Sequence, residues 1–164
     1  MPEVLAFADR KTDGAFPVTD TSGAVVAWIR MTSWTGTAFS AFTPAGEPLC
    51  TGKHRSWLSS WWDAVDTAGA PLASVGGLPV GRRTRVELPD GRELDLTGRW
   101  FSRDWALTDA EGGLVLSSAP TSGSWSFHPD AWAVQCHDPS LTLAQVVAVV
   151  ELHRLTVKAS RSAS

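Results

Sequence analysis

Cysteine is scarce in this chain: Cys50 and Cys136 are the two present in 164 residues. They lie far apart and form no C-x-x-C pair, which argues against a disulfide framework or a paired-cysteine zinc site. Asn and Tyr are absent and Arg far outnumbers Lys, a bias we read as genomic. Charged residues make up 19 % and the net charge is −3, so no electrostatic footprint for nucleic acid is present. The opening stretch MPEVLAFADRK lacks a charged segment followed by a long apolar core, which predicts no signal peptide and a cytoplasmic protein. The catalytic signatures G-x-S-x-G and H-E-x-x-H are missing as well. The expectation is a non-enzymatic protein without a cofactor or metal.

The length fits one domain with a core large enough to need no staples, and the hydrophobic content of 43 % is that of a globular chain. Its most apolar stretch is 141–157, LTLAQVVAVVELHRLTV. Val146, Val147, Val149 and Val150 cannot share one face at 100° per residue, so a helix here is apolar all round and belongs inside something. Gln145 and Glu151 interrupt the run too soon for a transmembrane span. The expected helix covers about 139–158, with Asp138-Pro139 as its start and His153, Arg154 and Lys158 suiting its C-terminal dipole.

Ahead of it, glycines end turn-like tetrads at Gly23, Gly46, Gly69, Gly91 and Gly112, spaced 23, 23, 22 and 21 residues apart. Short runs rich in Val, Trp, Phe, Leu and Thr flank each tetrad. This predicts successive β-hairpins with Gly at positive φ. The expected strand pairs are 15–19 with 24–31, 37–42 with 47–54, 60–65 with 71–75, 83–88 with 92–98, and 101–108 with 114–118. A sixth pair, 124–127 with 131–136, turns at His128-Pro129-Asp130. Residues 1–12 and 159–164 read as loose ends. Six hairpins are too few for a propeller. A closed antiparallel barrel removes sheet edges, and twelve strands leave an interior wide enough for a helix about 10 Å across. The expected fold is a mainly β, closed twelve-stranded barrel around a central apolar helix.

These D-x-x-G-type turns, at Asp20–Gly23, Asp66–Gly69 and Asp109–Gly112, followed by the helix over 141–157, resemble the tubby C-terminal-like superfamily. That group includes the LURP-one-related proteins, the phospholipid scramblases and the tubby proteins, and the small stand-alone LURP-one-related type is the nearest in form. The resemblance spans about 15–157 and implies the same twelve-stranded barrel around a hydrophobic helix. The proline-rich extension, acylated cysteine cluster and calcium-binding segment of scramblases are absent here, and the basic lipid-binding positions of tubby proteins have no alignable counterparts. What the resemblance carries is fold rather than task.

Several constellations bear on function. Arg82, Arg83, Arg85, Arg92, Arg99 and Arg103 interleave with Glu87, Asp90, Glu93 and Asp95. Cross-strand ion pairing explains most of such a pattern. The functional version is an anion or lipid-headgroup site made of Arg83, Arg85 and Arg99, since guanidinium suits bidentate phosphate contact. Nine tryptophans are present. Most are expected to fill the gap between wall and helix, with Trp61 and Trp62 facing opposite sides. Any that remain exposed would meet a protein partner or a membrane surface. Gly76–Arg83, GGLPVGRR, lacks the ending of a phosphate loop and reads as a strand connection. His128, Cys136 and His137 form too small a set for zinc. The reading is a surface-binding module for a protein partner or an anionic phospholipid. The alternatives are a scramblase-like membrane-associated protein or an enzyme or metal protein outside the familiar motifs.

Overall fold

The structure, a computed structural model, describes residues 1–77, 83–98, 104–120 and 132–162. Twelve strands run in chain order: β1 (Val4–Phe7), β2 (Phe16–Thr19), β3 (Val25–Met31), β4 (Ala38–Phe42), β5 (Pro48–His54), β6 (Trp61–Val65), β7 (Pro71–Gly77), β8 (Thr84–Glu87), β9 (Glu93–Gly98), β10 (Trp105–Thr108), β11 (Leu114–Pro120) and β12 (Trp132–Cys136). One helix follows, α1 (Leu143–Ser162). Each strand pairs antiparallel with the next, and β1 closes the barrel against β12 with Val4 opposite Gln135 and Phe7 opposite Trp132. The expected architecture holds.

Among the described residues, the strands differ from the sequence reading at the N-terminus. Residues 1–12, read as a loose end, contain β1, whose Leu5 and Phe7 point into the core at 1 % exposure each. The expected strand 124–127 and the turn His128-Pro129-Asp130 lie outside the described residues. The other end assigned as loose also changes: α1 continues to Ser162.

The five glycine turns share one construction. In each, the glycine N–H donates back three residues and the first residue's N–H donates to the carbonyl four residues on, as in Gly23 to Asp20 (3.0 Å) and Asp20 to Ala24 (2.9 Å). The glycines at 23, 46, 69, 91 and 112 sit at φ of 82° to 87°. This is the three-residue hairpin whose last residue is left-handed, a conformation that glycine adopts without a Cβ penalty. The aspartate that opens three of these turns also has a job: Asp20 Oδ1 accepts from the N–H groups of Ser22 (2.8 Å) and Ala24 (3.1 Å), and Asp66 and Asp109 repeat the pattern.

α1 starts later than the sequence suggested. Thr142 and Gln145 form a capping box: Gln145 N–H donates to Thr142 Oγ1 (3.2 Å) and Thr142 N–H donates to Gln145 Oε1 (3.0 Å). Asp138 instead binds Arg92 of the β8–β9 turn and accepts from Ser140 N–H (2.8 Å), fastening the helix entry to the barrel end. Val146, Val147, Val149 and Val150 are all within 1 % of fully buried.

The helix backbone runs closest to β5, β6 and β7. Many inward positions of β4 to β7 are small, namely Ala41, Cys50, Gly52, Ala64 and Ala73, with Phe39, Trp62 and Val75 as the larger ones. The opposite wall carries Leu94, Trp105, Leu107, Leu116 and Trp132, which reach across the remaining width. The helix therefore lies off-centre, nearer β5, β6 and β7 than the wall that carries these large side chains.

Candidate interaction surface at the long-loop end

An up-and-down barrel has two kinds of end. All five glycine turns lie at one, and the helix enters there beside Arg92. The connections β1–β2, β3–β4 and β5–β6, each longer than a tight turn, lie at the other, where the helix emerges. Two contacts place the helix exit: Arg154 Nη2 donates to Ala8 O (2.9 Å), and the Lys158 side chain lies against Gly36 of the β3–β4 connection.

Among the described residues, the most exposed large apolar side chains stand at the long-loop end, while Met1 and Leu114 at the other end are about half exposed. Trp34 of the β3–β4 connection is 99 % exposed, and Trp57 and Leu58 of the β5–β6 connection are 85 % and 77 % exposed. Their loops are internally braced. Ser33 Oγ accepts from the N–H groups of Thr37 (2.7 Å) and Ala38 (3.1 Å), and Ser59 N–H donates to Ser56 O (3.0 Å). The side chains thus stand on formed turns.

Charge is divided along the barrel axis. Among the described residues, exposed Arg10, Lys11, Lys53, Arg55, Arg83 and Lys158 belong to the long-loop half, together with Asp9, Asp13, Asp63 and Asp104. Arg55 is engaged with Asp63 at 2.7 Å. The five tight turns hold Asp20, Glu47, Asp66, Asp90, Asp109 and Glu111, with Arg92 as their one cation. Four of these acids, Asp20, Asp66, Asp90 and Asp109, accept backbone N–H groups of their own turns, so part of this polarity follows from the hairpin design.

Just inside the same end lies a polar cluster on an otherwise apolar helix. Glu151 is 3 % exposed and pairs with Arg154 at 2.9 Å. Burial raises the Glu151 carboxyl above the usual range, and the Arg154 charge pulls it back. His153 stacks on Trp132 at 5.4 Å and meets Trp105 edge-on at 5.2 Å. Burial holds its pKa down at about 4. His153 is therefore neutral and adds nothing to the helix dipole, contrary to the sequence reading. A cleft of about 270 Å³ opens beside this cluster, walled by Phe16, Met31, Leu155 and Val157 and reaching Glu151 and Arg154.

The residues singled out from sequence fall in several places. Arg83 is exposed, Arg85 is bound to Glu93 at 2.8 Å with Asp95 at 3.9 Å, and Arg99 lies outside the described residues. Of the candidate metal set, His128 lies outside them, Cys136 Sγ donates to Asp138 O (3.1 Å) and His137 Nε2 pairs with Ser117 Oγ (2.9 Å). Among the described residues no three His, Cys, Asp or Glu side chains are grouped as metal ligands. Cys50 is buried, and burial pushes its thiol up to about 12, with the Glu151 charge adding to the effect. Of the tryptophans, Trp62, Trp105 and Trp132 fill the interior. Trp28 and Trp61 are half-buried on the wall, Trp34 and Trp57 are exposed, and Trp100 and Trp125 lie outside the described residues. Trp61 and Trp62 do face opposite sides: Trp61 covers Gly76 on the outside with Arg55 over its ring, and Trp62 packs inside.

No family model and no curated protein matches the chain. The X-ray structure of a protein from Arabidopsis thaliana, AT5G01750, is similar with a TM-score of 0.63 and 17 % identity, over 93 % of this chain and 91 % of that one. This likeness is one of fold. Among the described residues no helix is long and apolar enough to cross a membrane.

Proposed function

We propose that this chain is a non-enzymatic binding module, a LURP-one-related or tubby-like barrel that meets a macromolecular partner through its long-loop end. The reading places it in the cytoplasm, either free or peripheral to a membrane. The observation that carries it is the contrast between the two regions of the molecule. The interior is filled by α1, leaving a shallow cleft at the mouth, while Trp34, Trp57 and Leu58 stand exposed on braced turns at one end. Exposed aromatic groups of this kind mark interaction sites. The likeness to the Arabidopsis structure and the D-x-x-G hairpin pattern support the family side of the reading.

Two classes of partner suit such a face: a protein docking on the tryptophans, or an anionic lipid surface. An anion pocket made of Arg83, Arg85 and Arg99 is the weaker form of the second, because Arg85 already serves Glu93. The test is site-specific photo-crosslinking in cells. A benzophenone side chain at Thr35, beside Trp34, should give adducts with lipid or protein, and the same group at Ala45 in the far turn should give few. Equal labelling at the two ends would refute the assignment of the binding face.

A further inference from the structure

The outer wall of the barrel carries a row of rings. Pro17, Trp28, Phe42 and Pro48 stand in register on β2, β3, β4 and β5. Trp28 and Phe42 are direct cross-strand partners, and both are half-buried. A groove of about 310 Å³ opens over these two, flanked by Asp13 and Ala15 of the β1–β2 connection and by Pro44 of the β4–β5 turn. It shares no lining residue with the cleft at the helix exit. Three polar groups belong to it: the Trp28 indole N–H, the Arg30 guanidinium and the Asp13 carboxylate. Arg30 lies 5.7 Å from the centre of the Phe42 ring. Among the described residues, none of the three polar groups has a hydrogen-bond or ion-pair partner.

That combination selects its occupant. Flat rings with hydrogen-bond donors beside them suit a chain rich in apolar rings and carbonyls and poor in N–H groups. A polyproline II segment is such a chain: it makes no internal hydrogen bonds, and proline has no N–H. Aromatic-lined grooves receive such segments in several unrelated modules. The spacing agrees as well. Rings on alternate strands, Pro17 with Phe42 or Trp28 with Pro48, are two strand separations apart, about 9.5 Å. One turn of polyproline II advances about 9.3 Å. A ligand laid across the strands therefore brings every third residue to the same ring pattern. Asp13, exposed at the edge, complements a basic residue next to the proline run.

We propose that this groove binds a proline-rich segment of a partner protein in the polyproline II conformation. Its prolines pack on Trp28 and Phe42, the Trp28 indole and Arg30 donate to its carbonyls, and Asp13 pairs with a flanking arginine. The site lies on the barrel wall and goes beyond the assignment of the long-loop end as a binding face. Neither requires the other.

The probe is a fluorescein-labelled peptide of one arginine followed by nine prolines, read by anisotropy against the full chain. A glycine–serine peptide of the same length, also headed by arginine, is the control. The proline peptide should bind at least about tenfold more tightly than the control. In proton–nitrogen spectra one tryptophan indole signal should move on binding, and Trp28→Thr should remove that signal. Trp28→Thr keeps a strand-forming residue on the wall and should weaken binding at least about tenfold. Asp13→Asn suits the left-handed φ of 53° at this position. It should weaken binding by about two- to fivefold, and should leave unchanged the binding of a proline peptide headed by glycine. An unchanged thermal melt shows that the variants remain folded. Equal binding of proline and control peptides by wild-type protein would overturn the proposal, as would full binding by Trp28→Thr. If Trp28→Thr does not fold, the wild-type spectra decide, and indole signals that stay in place at saturating peptide rule the groove out. Crosslinking from residue 35 reads the β3–β4 connection independently, so failure here leaves that assignment standing.

Discussion

The ring of Phe39 occupies the space that a side chain on Gly52 would need. The two residues are direct partners across β4 and β5, and both face the helix. A Cβ on Gly52 would meet Phe39 Cζ at 2.7 Å and Leu152 Cδ2 of α1 at 3.0 Å. Glycine here serves close packing rather than a turn. Gly52→Ala should destabilise the protein by about 1–3 kcal/mol, because both neighbours are locked in a full core. Urea unfolding checks this, and a change below the lower figure would mean that α1 can shift away.

Gly69 makes the complementary case. Its φ is +82° and no atom lies near enough to contact an added Cβ. Gly69→Ala should cost roughly 1–2 kcal/mol from backbone strain alone. Gly69→Asn should cost less, since Asn tolerates the left-handed region. Equal losses for Ala and Asn by thermal melting would contradict the strain account.

The buried pair Glu151–Arg154 should behave asymmetrically. Glu151→Leu leaves the Arg154 guanidinium, which is 13 % exposed, without its carboxylate, and should cost about 3–5 kcal/mol. Glu151→Leu with Arg154→Leu removes both charges and should recover part of that loss, although Ala8 O then loses its donor. A double-mutant cycle measures the coupling; additive single effects would show that the pair is not a unit.

His153 predicts an acid-sensitive stability. Its folded pKa of about 4 lies below the ordinary value of 6.5, so the unfolded chain takes up a proton that the folded one refuses. Stability is full above the ordinary value and declines as pH falls toward the folded value. Between pH 7 and pH 5 this amounts to about 2 kcal/mol. His153→Phe, which keeps a ring between Trp105 and Trp132, should flatten the decline over that interval. An unchanged slope in paired urea titrations would exclude His153 as its source.

How far the fold could be read beforehand depends on how locally each element is specified. The glycine turns are written into four-residue segments, with Asp20, Asp66 and Asp109 holding the backbone and glycine reversing it, so they were legible as a repeat. Trp61 and Trp62 followed from strand alternation alone. β1 was not legible, because Val4–Phe7 is too short to show a period and is held in place by β12, more than a hundred residues away in sequence. The capping box at Thr142 and Gln145 was visible in T-L-A-Q, but Asp138-Pro139 offered a competing start. Arg85 shows the limit for a binding site: the carboxylates beside it in sequence signalled ion pairing, and Glu93 takes its guanidinium. The exposure of Trp34 and Trp57 could not be told from the burial of Trp62 and Trp105 by residue type, because it depends on which end of the barrel each loop reaches.

The seam between β1 and β12 has a consequence in time. As the chain leaves the ribosome, the hairpins from β2 to β11 can pair as they emerge, but the sheet cannot close until β12 has been made. The apolar plug is made later still, since α1 follows every strand. Until then the inward face of each completed hairpin has nothing to pack on, and contacts that join distant parts of a chain form slowly. The nascent barrel is thus an open, sticky sheet for most of its synthesis, and it is over this interval that a chaperone should matter most to its yield.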